Sequence, residues 1–199
     1  MLTAKEVRLL RLFACCVQGS WEKLAALRHS APTGEPDRAW RETVLMTHVY
    51  AGAPRAVECQ TVLLEAGGLG EWDAEEVEGR AIPTERGAAL FDTIYDAKSP
   101  EVRALIARFH PDFARVVHED CYARILTRAG LTARQRELLA VVALAALYQP
   151  RQLASHGRGA LRCGAAAQEP AAALQAVEDL LQPEALSAAR AVIVKYARH

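Results

Sequence analysis

Residues 131–164, LTARQRELLAVVALAALYQPRQLASHGRGALRCG, decide how this chain folds. Thr132-Ala133-Arg134-Gln135 has the S/T-x-x-E/Q form of a capping box, in which the first and last side chains each bond the other's backbone N–H, so a helix starts here. Leu138 to Leu147 is a nearly unbroken Ala- and Leu-rich apolar run, long for a strand and read as a buried helix. Pro150 suits the first position of a second helix, where its missing N–H costs nothing. The stretch is therefore two antiparallel helices turning at Gln149-Pro150. Three polar residues stand out on it. Glu137 lies just ahead of the apolar run, and Gln152 and His156, four residues apart, share a face of the second helix.

The same pattern opens the chain. Leu2-Thr3-Ala4 matches Leu131-Thr132-Ala133 at an offset of 129 residues, and Thr3-Ala4-Lys5-Glu6 is a second capping box. Without a gap, that offset pairs Leu9 and Leu10 with Leu138 and Leu139, Ala14 with Ala143, and Leu24 and Ala25 with Leu153 and Ala154. Trp21 falls on Pro150, and each copy has a later Pro-containing break, at Pro54 and at Pro183. The polar residues are not shared: Glu137 pairs with Arg8, Gln149 with Ser20, Gln152 with Lys23 and His156 with Leu27. A site, if there is one, belongs to the second copy. The expected organisation is a first unit over 1–66, a helix-containing linker over 67–130 and a second unit over 131–199.

Between these anchors the pattern is helical throughout. Helices are expected over about 2–18, from Trp21 with Ser20 as N-cap, over Pro36–Tyr50, and over Arg55–Glu65 after a break at Ala51-Gly52-Ala53-Pro54. Gly67, Gly68 and Gly70 close the first unit. Glu71 to Gly79 is acidic and reads as an exposed linker or solvated turn. Further helices are expected within Thr84–Ala97, from Ser99-Pro100-Glu101 with Ser99 as N-cap, from Pro111 or Asp112 to a stop at Gly130, from Pro170, and from the break at Pro183 to about Tyr196.

Composition narrows the function classes. A chain of 199 residues buries a real core without staples. With 24 basic and 24 acidic residues there is no electrostatic case for nucleic acid. No 18-residue apolar span and no basic-then-apolar leader is present, so a soluble, cytoplasmic protein without a membrane partner is expected. The five cysteines, at 15, 16, 59, 121 and 163, include no C-x-x-C and read as reduced structural thiols.

Helix geometry brings the polar residues together. At 1.5 Å per residue, Glu137 lies about 15 Å from the end of its helix and His156 about 9 Å into the returning one. An antiparallel hairpin then sets both near one level. A Glu beside a His fixes the ring tautomer and raises the basicity of the other nitrogen, which is the arrangement of a general acid/base. The competing reading is a hydrogen-bonded pair in a helical core. No metal site is expected, since one His and one Glu fall short of three ligands. Ser155 and His156 point apart and form no nucleophile–base pair.

These residues resemble the carboxymuconolactone decarboxylase and alkylhydroperoxidase D superfamily. The resemblance is carried by Leu131-Thr132 through Arg136-Glu137-Leu138-Leu139, then by Gln152-Leu153, His156, Arg158, Ala160-Leu161 and Gly164. His48-Val49-Tyr50-Ala51-Gly52-Ala53-Pro54-Arg55-Ala56 resembles the family's Y-A-G-x-P segment, and Tyr122 to Leu131 resembles its approach to the first core helix. The resemblance implies an all-α, alkylhydroperoxidase D-like helical bundle built from two related helical units, in a homo-oligomer, here a dimer or trimer. The peroxidase branch carries two cysteines between its Glu and His. Here Gln149 and Gln152 occupy both positions, which removes nucleophile and resolving thiol. The decarboxylase branch needs no thiol and no cofactor. Its resemblance implies His156 as proton donor or base on a small lactone or carboxylate, oriented by Glu137 and flanked by Gln152. A composite pocket is expected, with Tyr50, His48 or Arg55 from the first unit and Gln149, Gln152, Glu137 and His156 from the second; Arg55, Arg151 or Arg158 is the candidate carboxylate clamp. The alternatives are a peroxiredoxin-like antioxidant protein using another cysteine, and a non-catalytic helical binding or assembly module.

Overall fold

The computed structural model describes residues 1–76 and 81–195, and every regular element among them is helical. The elements are α1 (Ala4–Gln18), α2 (Trp21–His29), α3 (Arg38–Leu45), α4 (Thr47–Glu65), α5 (Thr84–Tyr95), α6 (Ser99–Phe109), α7 (Pro111–Arg115), a π-helix (Val116–Leu126), α8 (Ala133–Ala146), α9 (Pro150–Arg162), α10 (Glu169–Gln175) and α11 (Pro183–Val194). Single 3₁₀ turns lie at Ala74–Glu76 and Asp96–Lys98. The expected residues Glu78, Gly79 and Tyr196 lie outside the described ones.

Helix α8 is the centre. Every residue from Arg136 to Ala145 is buried, so its apolar run has no solvent face and α1, α4, α9, α10 and α11 all pack on it. The α8–α9 turn needs Tyr148 in the left-handed region, at φ 54°. Its N–H donors are taken up locally, with Gln149 N bonding the Leu144 carbonyl at 2.8 Å.

Several backbone features recur 129 residues apart. Both capping boxes form, and Thr3 and Thr132 share nearly the same conformation (φ −73°, ψ 161° and φ −73°, ψ 159°). The turn after α1 repeats that after α8: Gly19 has φ 78° and Ser20 N bonds the Cys15 carbonyl at 3.0 Å. Trp21 and Pro150 each open the next helix. Gly52, at φ 81° and ψ 170°, kinks α4 just before Pro54, and Pro183 opens α11.

The helix-containing linker over 67–130 also contributes to the core: Phe91, Ile94, Tyr122, Ile125 and Leu126 join the same hydrophobic core as α1 and α8. The structure departs from expectation in three places. The acidic 71–76 stretch is not wholly solvated: Glu76 is buried and doubly bonded to the Arg41 guanidinium. Ser20 makes no capping bond, and Ser99 lies inside α6 with its hydroxyl given to Asp92 instead. The helix expected from Pro111 onward turns into a π-helix after Arg115. Its i→i+5 bonding widens the turn. His118 and Tyr122 both meet the Phe91 ring edge-on, at 4.8 Å each.

Two predictions follow from this packing. At Gly87 on α5, an added Cβ would lie 2.7 Å from Ala123 Cα on the π-helix. Gly87→Ala therefore lowers unfolding free energy by about 1–3 kcal/mol, read from the denaturant midpoint. The Arg41 guanidinium beside Glu76 holds that carboxyl at about 2, below its ordinary 4.5. This stabilisation is complete above about 4.5 and is lost as pH falls toward about 2. Glu76→Gln should remove part of the acid-limb slope in a stability–pH curve.

Candidate functional site

The capping box at Thr132 fixes where α8 begins, which sets Arg136 and Glu137 one and a half turns into it, at the edge of the core. Glu137 is 2% exposed. Its carboxylate fits there because α9 presents a glycine opposite it. A Cβ at Gly159 would stand 2.5 Å from Glu137 Oε2 and 2.9 Å from Ile94 Cγ2. From the same helix, one turn earlier, His156 meets the carboxylate, with Nδ1 and Glu137 Oε2 3.0 Å apart. An ionised carboxylate only accepts, so Nδ1 carries the proton in this bond. That leaves Nε2 as the basic nitrogen in the neutral ring. No described residue bonds Nε2, and the His156 side chain keeps 9% of its surface exposed.

One aromatic ring packs directly on the pair. Tyr50 from α4 stands edge-on to His156 with centroids 6.2 Å apart, and is itself held edge-on by Phe13 at 5.7 Å. The Tyr122 hydroxyl donates to that of Tyr95 at 3.4 Å. Burial first, and then the nearby Glu137 charge, pushes the Tyr50 phenol well above its ordinary range. Burial raises Tyr122 and Tyr95 as well, with Glu137 contributing to both. The carboxylate therefore sits among phenols held in the neutral, proton-donating form. Tyr95 also lines a cleft of about 420 Å³ with Ser155, Lys98, Arg158 and Arg162. That cleft lies beside the residue preceding His156 and is ringed by cations.

The thiols near this site are held protonated. Burial, then the Glu137 charge, takes Cys163 up to about 11, and burial raises Cys121. Cys59 is lowered by a hydrogen bond from Cys16, but both are fully buried between α1 and α4. None offers the exposed thiolate that thiol chemistry needs. Among the described residues there is no cluster of His, Cys, Asp or Glu able to hold a metal.

The structure brings Glu137, His156 and Tyr50 together. It does not join the other expected residues to them by a hydrogen bond or ring contact. Gln152 and His48 are exposed. Gln149 is exposed and its amide donates to the Leu147 carbonyl. Arg55 stacks its guanidinium carbon 5.4 Å from the Trp21 ring centroid, and Arg151 is exposed. Of the candidate clamps, Arg158 lines the cleft. Sequence reasoning missed Tyr95, Tyr122 and Gly159. The two tyrosines read only as part of apolar helix faces. Gly157 and Gly159 carried a signal, since glycines inside a helix mark close approach.

Residues 111–194 match the model of the carboxymuconolactone decarboxylase family. This segment, from α7 through α11, is similar to that family and contains both Glu137 and His156. No curated protein matches the chain.

Gly159→Ala should destabilise the fold by about 1–3 kcal/mol by overpacking. In a Glu137→Ala background part of that cost should disappear, because the carboxylate it strikes is gone. A double-mutant cycle in denaturant measures the coupling.

Proposed function

We propose that the protein is a carboxymuconolactone decarboxylase-like enzyme that carries out cofactor-independent acid/base chemistry on a small lactone or carboxylate. The observation that carries this reading is the buried Glu137–His156 hydrogen bond, which leaves Nε2 without a partner from the described residues. In this reading Glu137 orients the ring and stabilises the imidazolium formed when Nε2 takes a proton. Tyr50 packs its ring edge-on to His156 from the first unit. The cation-ringed cleft admits the substrate carboxylate, with Arg158 and Arg162 as its binding groups. The division into a first unit over 1–66, a connecting segment and a second unit over 131–199 belongs to the same proposal, with the site composed from both units. So does a homo-oligomeric state, for which α6, α7 and the π-helix expose Leu105, Phe109, Phe113 and Val116. No helix of the described residues is long and apolar enough to cross a membrane.

One observation favours the non-catalytic module instead. His156 is 7% exposed, and the cleft is lined by Ser155 and Tyr95 rather than by His156 itself. Activity decides between the two. In a screen of small lactone acids, His156→Asn, whose amide can still donate to Glu137, should lower turnover by about 10²-fold or more while the chain stays folded, as checked by its melting curve. Retained turnover in that variant would exclude the assigned role, and a wild-type chain inert toward every lactone would favour the module.

A further inference from the structure

The cleft of about 420 Å³ beside Ser155 offers hydrogen-bond donors and no acid. Two hydroxyls, from Tyr95 and Ser155, and three cations, Lys98, Arg158 and Arg162, line it, and no carboxylate does. The acids that meet these cations stand outside the lining. Asp96 lies 3.4 Å from Arg162 and is 65% exposed, and Glu101 lies 3.0 Å from Lys98 and is exposed as well. Water and salt screen such surface pairs, so they cancel little of the field inside the cleft.

Tyr95 is held there from two sides. Its ring packs on that of the buried Phe91, with centroids 4.4 Å apart. Its oxygen accepts from the Tyr122 hydroxyl at 3.4 Å, and Tyr122 is itself buried on the π-helix. A phenol carries a single proton. That of Tyr122 lies toward Tyr95, so the proton of Tyr95 stays available, and no described residue accepts it. Burial holds the Tyr95 phenol protonated above its ordinary range, while the bond from Tyr122 pulls the other way and favours negative charge on the Tyr95 oxygen. A fixed donor with an unclaimed proton, set among cations, is complementary to an oxyanion.

We propose that Tyr95 is the hydrogen-bond donor to the oxyanion of a small organic ligand in this cleft, with Tyr122 as its positioning residue and Lys98, Arg158 and Arg162 as the surrounding field. This rests on the reading that the cleft admits the substrate, and it assigns the donor that meets the oxygen where negative charge gathers.

The test is binding and does not depend on turnover. At mildly alkaline pH 4-nitrophenolate is a coloured oxyanion whose visible band moves to shorter wavelength when its oxygen accepts a hydrogen bond, and 4-nitroanisole is its uncharged match. In absorbance titrations of the full chain the phenolate should bind at one site with a blue-shifted band, and the anisole should compete at least about tenfold more weakly. Tyr95→Phe keeps the ring on Phe91 and removes only the hydroxyl. It should weaken the phenolate by about tenfold or more and shrink the band shift. Lys98→Glu, at an exposed position, reverses a charge at the rim and should weaken it by about tenfold. Equal affinity for phenolate and anisole would overturn the proposal, as would no binding at millimolar concentration. So would a Tyr95→Phe variant with wild-type affinity and shift, or a Lys98→Glu variant that binds as wild type. A chain that binds as expected yet turns over no lactone would contradict the catalytic reading and leave the donor assignment standing.

Discussion

Burying α8 on every side imposes one constraint that the rest of the molecule answers. The helix carries adjacent opposite charges, Arg136 and Glu137, into the core at 2% exposure each. An isolated buried charge is expensive, and removing one partner of a buried pair costs about 3–5 kcal/mol. Neighbours on a helix point apart, so the two charges cannot neutralise each other. Arg136 turns to Glu42 on α3, which Arg128 also grips. Glu137 turns to His156 on α9. The first solution ties the first helices to the segment before α8. The second creates the candidate site. Gly159 on α9 leaves room for the Glu137 carboxylate.

The environment of Glu137 sets what that site can do. A buried carboxylate whose charge reaches neutral phenols is a poor partner for a thiolate, and the nearby Cys163 and Cys121 are held as thiols. It suits a histidine that accepts and returns a proton. The family that matches residues 111–194 is named for a decarboxylase, and the arrangement of Glu137 and His156 is compatible with proton transfer without a cofactor. The proposed chemistry is placed on Nε2, which no described residue bonds.

Much of this was legible in the chain itself. The two capping boxes marked the starts of α1 and α8 because their side-chain bonds are local, and local rules need no tertiary context. The level of Glu137 and His156 followed from helix rise alone. The kink at Gly52 and the turn at Pro150 were equally local. What escaped was set by contacts distant in sequence. Glu76 reads as one more acid in an acidic run, and only Arg41, thirty-five residues earlier, makes it a buried partner. Tyr95 and Tyr122 look like core aromatics until the Glu137 charge is placed beside them. Gln149 and Gln152 occupy the positions of reactive groups in the resembling family, yet face solvent at the exposed start of α9. The π-helix has no propensity signature that separates Val116–Leu126 from an ordinary α-helix.

The most direct measurement of the central claim is the protonation pattern of the His156 ring, read by long-range proton–nitrogen correlation NMR on the full chain. The account predicts a neutral ring at alkaline pH with the proton on Nδ1 and a bare Nε2, and a loss of that tautomer preference in Glu137→Gln. A wild-type ring protonated on Nε2 and bare at Nδ1, or a pattern that Glu137→Gln leaves untouched, would contradict it.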